Sequence, residues 1–396
     1  MKRILVLAFC LPVVCASLAQ ASSAAEPFNI DLIRRPNSLG FLEPILVHVT
    51  GLSGEADSAL KNDLLFMGVV HKSLDEAKFL INANAVGGRA EARVLEKTTK
   101  GQYHEAAFTA STQRAAVHAL SDSIAKALTA LPNIGIAQTK VTFKVEPSRG
   151  RSEVYVTDFD GYGPQAVTQD NTLVSAPCWA GKGTLVYSSY KLGNPQIFSH
   201  VLSTGSRNAV ARHPGNNYSP AVSPDGRRVA MILNMNGTPN LYVSSIDGSG
   251  LKQLTRNRHG DACPSWSPDG QTICYVSRAG GSASLYKIPA SGGTPAPVRT
   301  TFAPSPTEPD WSPDGKWIAF TAQVSGFTLF IVRAEGGEAI QLVPGEDPSW
   351  APNSRALMFC RGPDHSKQLY LLDVPTKTVK PLARILESNS QPSWAK

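Results

Sequence analysis

A repeated pattern in the carboxyl-terminal two thirds of the chain constrains the fold more than any other feature. The pattern is clearest as Trp-Ser-Pro-Asp-Gly at 266–270 and 311–315, and looser forms follow the same order of residues elsewhere. Successive anchors lie 43, 44, 45, 39 and 44 residues apart, at positions 179, 222, 266, 311, 350 and 394. A unit of this length with several short strands is typical of a propeller blade and not of a helical solenoid.

A second marker gives the same count and predicts how the ring closes. An aromatic residue heads one apolar run per unit, at positions 155, 198, 242, 286, 330 and 370. The aromatic series begins before the first Trp, and the Trp series ends after the last aromatic. This offset predicts that one blade is split, with its first strand at 391–396 and its other strands between about 140 and 168. Six markers predict six blades, and the split blade would remove two exposed sheet edges.

Composition and turn chemistry agree with a mainly β fold. Charged residues make up only 17% of the chain, below the ~25% of an average globular protein. In each Ser-Pro-Asp-Gly segment, Pro presets φ and Gly accepts a left-handed conformation, so Asp225, Asp269 and Asp314 are expected to be turn residues. The net charge of +7 is mild and the sequence contains no long run of Lys and Arg, so no nucleic-acid partner is expected.

The first residues have the organisation of a secretory signal peptide. Lys2 and Arg3 precede an apolar stretch at 4–14, and Ala19-Gln20-Ala21 offers a small-x-small cleavage site. A lipid anchor at Cys15 is a weaker alternative, because Val14 stands where a small residue is wanted. No later apolar stretch is long enough to span a bilayer, so we expect an exported protein that does not insert into the membrane.

The segment between the signal peptide and the repeats carries no repeat of its own. Apolar spacing predicts strands at 45–49, 79–85 and 90–96 and helices at 56–66 and 113–131. The predicted organisation is therefore a signal peptide (1–21), a small α/β domain with a mobile amino-terminal tail (22–138) and a six-bladed β-propeller with a split closing blade (139–396).

The sequence shows no catalytic constellation. A Gly-x-Ser-x-Gly nucleophile motif and a His-Glu-x-x-His motif are both absent. A calcium loop starting at Asp158 would need Glu at its twelfth position, where Gln169 stands. Cys274 and Cys360 lie in apolar runs and are expected to be buried, whereas the pairing of Cys178 and Cys263 stays open. We therefore expect no enzyme activity, no cofactor and no metal.

The loops before each first strand are the best candidates for a function. In a propeller they lie together on one face around the central channel, here at 216–219, 258–261, 305–308, 345–347 and 388–390. Their side chains combine both charge signs with amides and one Tyr. This mixture suits a polar protein interface better than an apolar ligand pocket.

The combination of signal peptide, α/β domain and six blades resembles the TolB family of Gram-negative bacteria. The segments 154–162, which contains Asp-Gly-Tyr, 222–230 and 240–243 are similar to the family pattern. The resemblance implies a periplasmic, monomeric, non-enzymatic scaffold of the Tol–Pal envelope system that maintains outer-membrane integrity and constriction during cell division. An exported propeller enzyme, a lectin-like ligand-binding module and a relative that has lost its partner are the alternatives.

The resemblance also implies where the partners bind. The lipoprotein Pal would contact the loop face, and other outer-membrane proteins are further possible partners. TolA would contact the amino-terminal tail, where Phe28 and Ile30 belong to an alternating segment that suits strand addition to a partner. The carried-over Pal contacts are Asn216, Asn217, Ser219, His259, Asp261 and Ala262. To these we add Tyr218 as an exposed aromatic anchor and the loop residues Glu308, Glu346 and Asp347. Charge reversal at Asp261 with Asn217→Arg should then weaken Pal binding with little change in melting temperature.

Overall fold

The computed structural model describes residues 36–181, 183–301, 304–382 and 387–396. The predicted signal peptide and the tail residues Phe28 and Ile30 lie outside the described residues. Neither helix in the described part of the chain has the length and apolarity needed to cross a bilayer.

The amino-terminal domain is a five-stranded sheet covered by two helices. Its elements in chain order are β1 (Ile45–Thr50), α1 (Gly54–Phe66), β2 (Val69–His71), β3 (Phe79–Val86), β4 (Arg89–Glu96), β5 (Gln102–Thr109) and α2 (Gln113–Thr129). The strand order is β2-β1-β3-β4-β5, with β1 parallel to both neighbours and β3, β4 and β5 antiparallel. Helix α2 starts at Thr112, whose side chain accepts a hydrogen bond from the Ala115 N–H, and ends at Ala130 in the left-handed region.

The two predicted helices and all three predicted strands are present in this domain, which has five strands in total. The two additional strands, β2 and β5, carry weak sequence signals. β2 has only three residues, and the side chains of β5 are exposed or half-buried because it forms the edge of the sheet. A strand with no fully buried position has little apolar alternation from which it could be predicted.

Six four-stranded antiparallel sheets form the propeller. We number the first five blades in chain order and call the sixth the closing blade. Blade 1 consists of Val174–Trp179, Thr184–Ser189, Gln196–Val201 and Ser206–Ala211. Blade 2 consists of Asn216–Val222, Arg228–Asn234, Asn240–Ser245 and Lys252–Gln253. Blade 3 consists of Asp261–Trp266, Thr272–Ser277, Ser284–Pro289 and Ala296–Pro297. Blade 4 consists of Thr307–Trp311, Trp317–Gln323, Phe327–Arg333 and Ile340–Pro344. Blade 5 consists of Glu346–Trp350, Ala356–Arg361, Gln368–Asp373 and Thr378–Pro381. A short parallel bridge also joins Thr300–Thr301 to Gly337–Glu338.

The closing blade is built from both ends of the repeat region. Its innermost strand, Ser388–Trp394, pairs antiparallel with Lys140–Ser148, and Arg151–Asp158 and Gln165–Ala166 complete the sheet. The register sets Trp394 opposite Val141. The predicted split blade and the count of six are therefore confirmed, and the ring has no open junction between its first and last strands.

The Ser-Pro-Asp-Gly segments form tight turns at the end of the innermost strands. In blade 2 the hydroxyl of Ser223 donates to Asp225 at 2.5 Å and accepts from the Arg228 N–H at 2.9 Å. Ser267 and Ser312 make the same contacts in blades 3 and 4. The aspartates therefore cap turns, as their sequence pattern predicts.

The amino-terminal domain packs on the propeller face that carries these turns. Asn353 lies in the turn of blade 5 and donates to the carbonyl of Phe66 at 3.0 Å. Arg355 forms a buried ion pair with Asp373 and donates to the carbonyl of Leu42. Because the innermost strands run from the loop face toward the turns, the domain lies opposite the predicted loop face. We call that free face the mouth.

Candidate binding surface at the propeller mouth

The innermost strands of all six blades share one backbone feature. Each contains a residue with φ between 47° and 54° immediately before a proline, and the pairing register shifts at that point. The six residues line the central channel and are Ala176, Ser219, Cys263, Glu308, Asp347 and Gln391. Each strand therefore has a β-bulge at the same depth, which gives the channel a ring of side chains below the mouth. We call these six residues the channel ring.

Part of the channel ring links one blade to the next. Glu308 accepts a hydrogen bond from the Asp347 N–H at 3.1 Å, and Asp347 accepts one from the Gln391 N–H at 2.9 Å. Gln391 in turn accepts one from the Ala176 N–H at 2.9 Å. These bonds run from blade 4 through the closing blade to blade 1. Glu308 and Asp347, predicted as loop contacts, therefore belong to the channel wall, where they join blades.

The two acids of the channel ring influence each other. Burial, with the adjacent Asp347 carboxylate, raises the pKa of Glu308 to about 8. Glu308 therefore holds a proton at neutral pH, while it accepts a hydrogen bond from the Thr321 hydroxyl at 2.7 Å. The channel encloses a cavity of about 380 Å³, bounded by the channel ring and by the tryptophans of the innermost strands.

Asn217 is buried under the loop that enters blade 2. Its side-chain oxygen accepts from the His213 N–H at 3.0 Å, and its amide group donates to the carbonyls of His213 and Gly215. The side chain is fully buried. The expectation that Asn217 is a surface contact that could be changed to Arg without loss of stability is therefore wrong, because every polar atom of its amide already holds the loop.

Asp261 has the same role under the loop that enters blade 3. Its carboxylate is 4% exposed and accepts from the Thr255 hydroxyl at 2.5 Å and from the Asn257 amide at 2.6 Å. Asn257 then accepts from the N–H groups of His259 and Gly260, both at 2.8 Å. Charge reversal at Asp261 would leave these donors facing a cation, so we expect it to lower stability as well as to affect binding.

The other predicted contact residues differ in exposure. Asn216 and His259 are exposed, whereas Ser219 and Ala262 are half-buried. Glu346 is paired with Lys367 at 2.9 Å. Tyr218 is half-buried against the core between blades 2 and 3, and burial raises the pKa of its hydroxyl. The prediction of Tyr218 as an exposed anchor is therefore wrong.

Large exposed apolar residues lie at the mouth and were missed by the sequence analysis. Leu173, Tyr190 and Leu192 belong to loops of blade 1, and Leu192 is 52% exposed. Val324 lies in the corresponding loop of blade 4, and Phe327, which is 49% exposed, begins the strand that follows it. Blades 1 and 4 are opposite each other in a six-membered ring. The usable signal was a large apolar residue inside a Gly-containing turn, as in Tyr190-Lys191-Leu192-Gly193.

A cluster of ionisable residues lies away from the mouth, between the two domains. Asp63 of α1, His118 of α2 and Asp160 of the closing blade place potential metal-ligating atoms within 4.8 Å of one another. The Arg114 guanidinium already pairs with Asp160, and His118 is 2.7 Å from Asp63. These contacts describe a buried ionic cluster that joins the domains, since a cation already neutralises one of the two carboxylates.

The four cysteines of the described chain are all free thiols. Cys274 and Cys360 are fully buried, as their apolar surroundings predict. Cys178 and Cys263 are half-buried, and each lies beside the channel. Burial raises the pKa of both channel thiols to about 12, so neither is a reactive thiolate at neutral pH.

Fold and surface together define a class: a six-bladed β-propeller closed by strands from both ends of the repeat region, with an α/β domain on one face and, on the other, a mouth that no described residue of that domain covers. The model of the TolB β-propeller domain matches residues 126–396. The chain therefore belongs to the TolB β-propeller family.

Individual relatives agree with this assignment. The Tol-Pal system protein TolB of Desulfosudis oleivorans is 30% identical over 37% of this chain and 32% of its own length. The TolB homolog of Chlamydia caviae is 33% identical over 36% of each chain. The matches thus span about a third of these relatives. The crystal structure of TolB from Acinetobacter baumannii aligns with a TM-score of 0.79 over 91% of this chain and 98% of that chain, and its 21% identity shows the fold alone.

Proposed function

We propose that this protein is a periplasmic scaffold of the Tol–Pal system that binds Pal at the propeller mouth. Family membership and the relatives named for the Tol–Pal system support this role. The observation that carries the proposal is the mouth itself, which no described residue of the amino-terminal domain covers and whose loops are held from beneath by Asn217 and Asp261. Preformed loops favour binding because little conformational entropy remains to be lost.

We expect the exposed apolar side chains to supply most of the binding free energy at this surface. Tyr190, Leu192 and Phe327 can bury large apolar area against a partner, and such anchors dominate the binding energy of many interfaces. Asn216 and His259 would supply polar contacts around them. Asn217, Asp261, Glu308 and Asp347 would act as positioning residues that hold the surface in shape.

The proposed mechanism is exchange between partners and involves no covalent step. Pal would occupy the mouth, and TolA would engage the tail that contains Phe28 and Ile30. The consequence for the cell would be outer-membrane integrity and ordered constriction during division. The working unit would be a periplasmic monomer whose domains are joined by the contacts of Asn353, Arg355 and the buried ionic cluster.

A titration of the purified protein against Pal from the same organism tests the proposal. We expect one-to-one binding by calorimetry, and we expect Leu192→Asp with Phe327→Asp to abolish it at an unchanged melting temperature. The matched control is Leu74→Asp, because Leu74 is 51% exposed but belongs to the amino-terminal domain. Absence of Pal binding, or binding that the control weakens equally, would contradict the proposal. Binding of a sugar in the channel or hydrolase activity would instead favour a ligand-binding or enzymatic propeller.

A further inference from the structure

Four exposed arginines lie in loops at the mouth that lead into blades 2 and 3 or join two strands of blade 3. They are Arg212, Arg256, Arg258 and Arg278, which we call the arginine crescent. Arg212 precedes blade 2, Arg256 and Arg258 precede blade 3, and the Arg278 N–H donates to the carbonyl of Gly260, which brings the last loop beside the previous one. None of the four forms an ion pair with a residue in the described ranges.

The crescent is presented by loops of fixed shape. Asn217 holds the backbone around His213, one residue after Arg212. The contacts among Asp261, Thr255 and Asn257 hold the backbone on both sides of Arg256 and Arg258. The carboxylate of Asp261 is buried beneath this loop. The guanidinium groups are therefore positioned in solvent on an ordered base.

Basic side chains on the opposite side of the mouth are held by oxygen acceptors, and Arg361 of blade 5 donates to the carbonyl of Pro344 at 2.8 Å. In blade 5, Lys367 pairs with Glu346 at 2.9 Å and with Asp364 at 3.3 Å. His365 lies 3.1 Å from Glu146 of the closing blade. Exposed arginines without an anionic partner thus lie above blades 2 and 3, whereas Arg361 is half-buried, so a charged ligand would meet an asymmetric field at the mouth.

We propose that the arginine crescent binds an acidic segment of the protein partner that occupies the mouth, and that it sets the partner's orientation. This inference rests on the proposed function, since it describes the partner of the same surface. A protein fits better than a nucleic acid because exposed apolar side chains, which need apolar partner surface, lie beside the crescent. The loop that carries Tyr190 and Leu192 is joined through the carbonyl of Pro195 to Asn217, which also holds the loop of Arg212.

Association kinetics with Pal form the first test. The variant Arg256→Gln with Arg258→Gln removes two charges from the crescent, and Arg227→Gln with Lys316→Gln removes two from exposed turns on the opposite face. At low salt we expect the crescent variant to bind about ten-fold more slowly, with a smaller change in the dissociation rate, and the control to change less than about two-fold. Added salt should reduce the difference, because it screens exposed charges. Equal association rates for the crescent variant and the wild type would overturn the inference while leaving Pal binding intact.

A probe that does not depend on Pal separates the two hypotheses. A short peptide of alternating Glu and Ser, labelled with a fluorophore, should bind the wild-type protein and the control variant and should bind the crescent variant at least about five-fold more weakly. A single-stranded oligonucleotide of equal charge should compete poorly. Failure of Pal to bind with retention of these peptide results would refute the proposed function alone. No difference in peptide affinity between the variants, or stronger binding of the oligonucleotide, would refute the crescent as a site for an acidic protein segment.

Discussion

The indole N–H of Trp394 donates a 2.7 Å hydrogen bond to the hydroxyl of Thr139, across 255 residues of chain. Trp394 is 2% exposed and stacks on Phe159. Thr139 lies just before the first propeller strand of the closing blade, so this contact fixes the carboxyl end of the chain beside the entry to the ring. The closure of the propeller therefore depends on a few terminal residues.

Deletion of residues 391–396 should open the ring. The truncation removes most of the innermost strand of the closing blade, exposes the edge of Lys140–Ser148 and leaves a hole where Trp394 packs. We expect the cooperative melting transition to be lost or shifted down by more than ten degrees in circular dichroism. Lys396→Gln is the control, because it removes only the contacts of a partly exposed ammonium with Asp310 and with the carbonyl of Trp311. A truncated protein that melts like the control would show that ring closure does not stabilise the fold.

The tryptophan of the repeat should contribute in proportion to its burial. Trp311 is 8% exposed and packs between blades 3 and 4, so Trp311→Ala should lower the free energy of unfolding by about 3–5 kcal/mol. Trp179 is half-buried, and Trp179→Ala should cost less. Urea unfolding at matched pH measures both values. Equal costs at the two positions would mean that burial does not determine the contribution of the repeat tryptophan.

His118 should make the stability of the protein depend on pH. Burial lowers the pKa of His118, but the hydrogen bond and charge of Asp63, with Asp160, outweigh burial and bring the pKa above 6.5. The pKa of Asp63 is also raised, because of its burial. The folded protein therefore binds protons more tightly than the unfolded chain at both groups. The stabilisation from His118 is fully present below about pH 6.5 and is lost as the pH rises through the raised value.

The corresponding experiment compares melting temperatures between pH 6 and pH 9 at constant salt. The wild-type melting temperature should fall across this range, and His118→Gln should flatten the dependence while destabilising the protein by about 3 kcal/mol at the lower pH. His365→Gln is the matched control, since His365 is exposed beside Glu146. If His118→Gln retained the wild-type pH dependence, the buried ionic cluster could not be its source.

Substitution of Asn217 or Asp261 should lower the stability of the fold, and any effect on binding should follow from that loss. Asp261→Ala leaves the donors of Thr255 and Asn257 without their acceptor, and we expect a loss of about 1–3 kcal/mol. Asn217→Ala should behave similarly. By contrast, Arg258→Gln should leave the melting temperature within about one degree, since surface changes of this kind rarely alter stability. Differential scanning fluorimetry measures the melting temperatures of the three variants. An unchanged melting temperature for Asp261→Ala would show that Asp261 does not stabilise the loop and would again make it a candidate surface contact.

The architecture of the ring could be predicted because its signal is repeated. Two independent markers give six units, and the offset between Tyr155 and Trp394 gives the split blade. The amino-terminal edge strand Gln102–Thr109 could not be predicted, because its side chains are exposed or half-buried and show no clear alternation. The local sequence pattern is sufficient to predict an element where burial imposes a regular spacing of apolar residues. It is insufficient where an element is stabilised mainly by hydrogen bonds to a neighbouring strand.

The surface residues were predicted less well for a related reason. The loops were placed on one face, but sequence cannot distinguish an exposed amide from one that holds a loop from beneath, as Asn217 does. The left-handed conformation of residues such as Glu308 was also unexpected, because a residue before proline usually adopts an extended conformation. That conformation directs the chain into the β-bulges that form the channel ring.

Opposite sides of the mouth should both contribute to partner binding. Leu192 of blade 1 and Phe327 of blade 4 are about half exposed and lie across the channel from each other. If one partner covers the mouth, each of Leu192→Ala and Phe327→Ala should weaken Pal binding by about 1–2 kcal/mol, since each loses apolar area that the complex buries. The two effects should add, because the sites are too far apart to touch. Calorimetry of the single and double variants measures this, and an effect confined to blade 1 would place the partner on one edge of the ring.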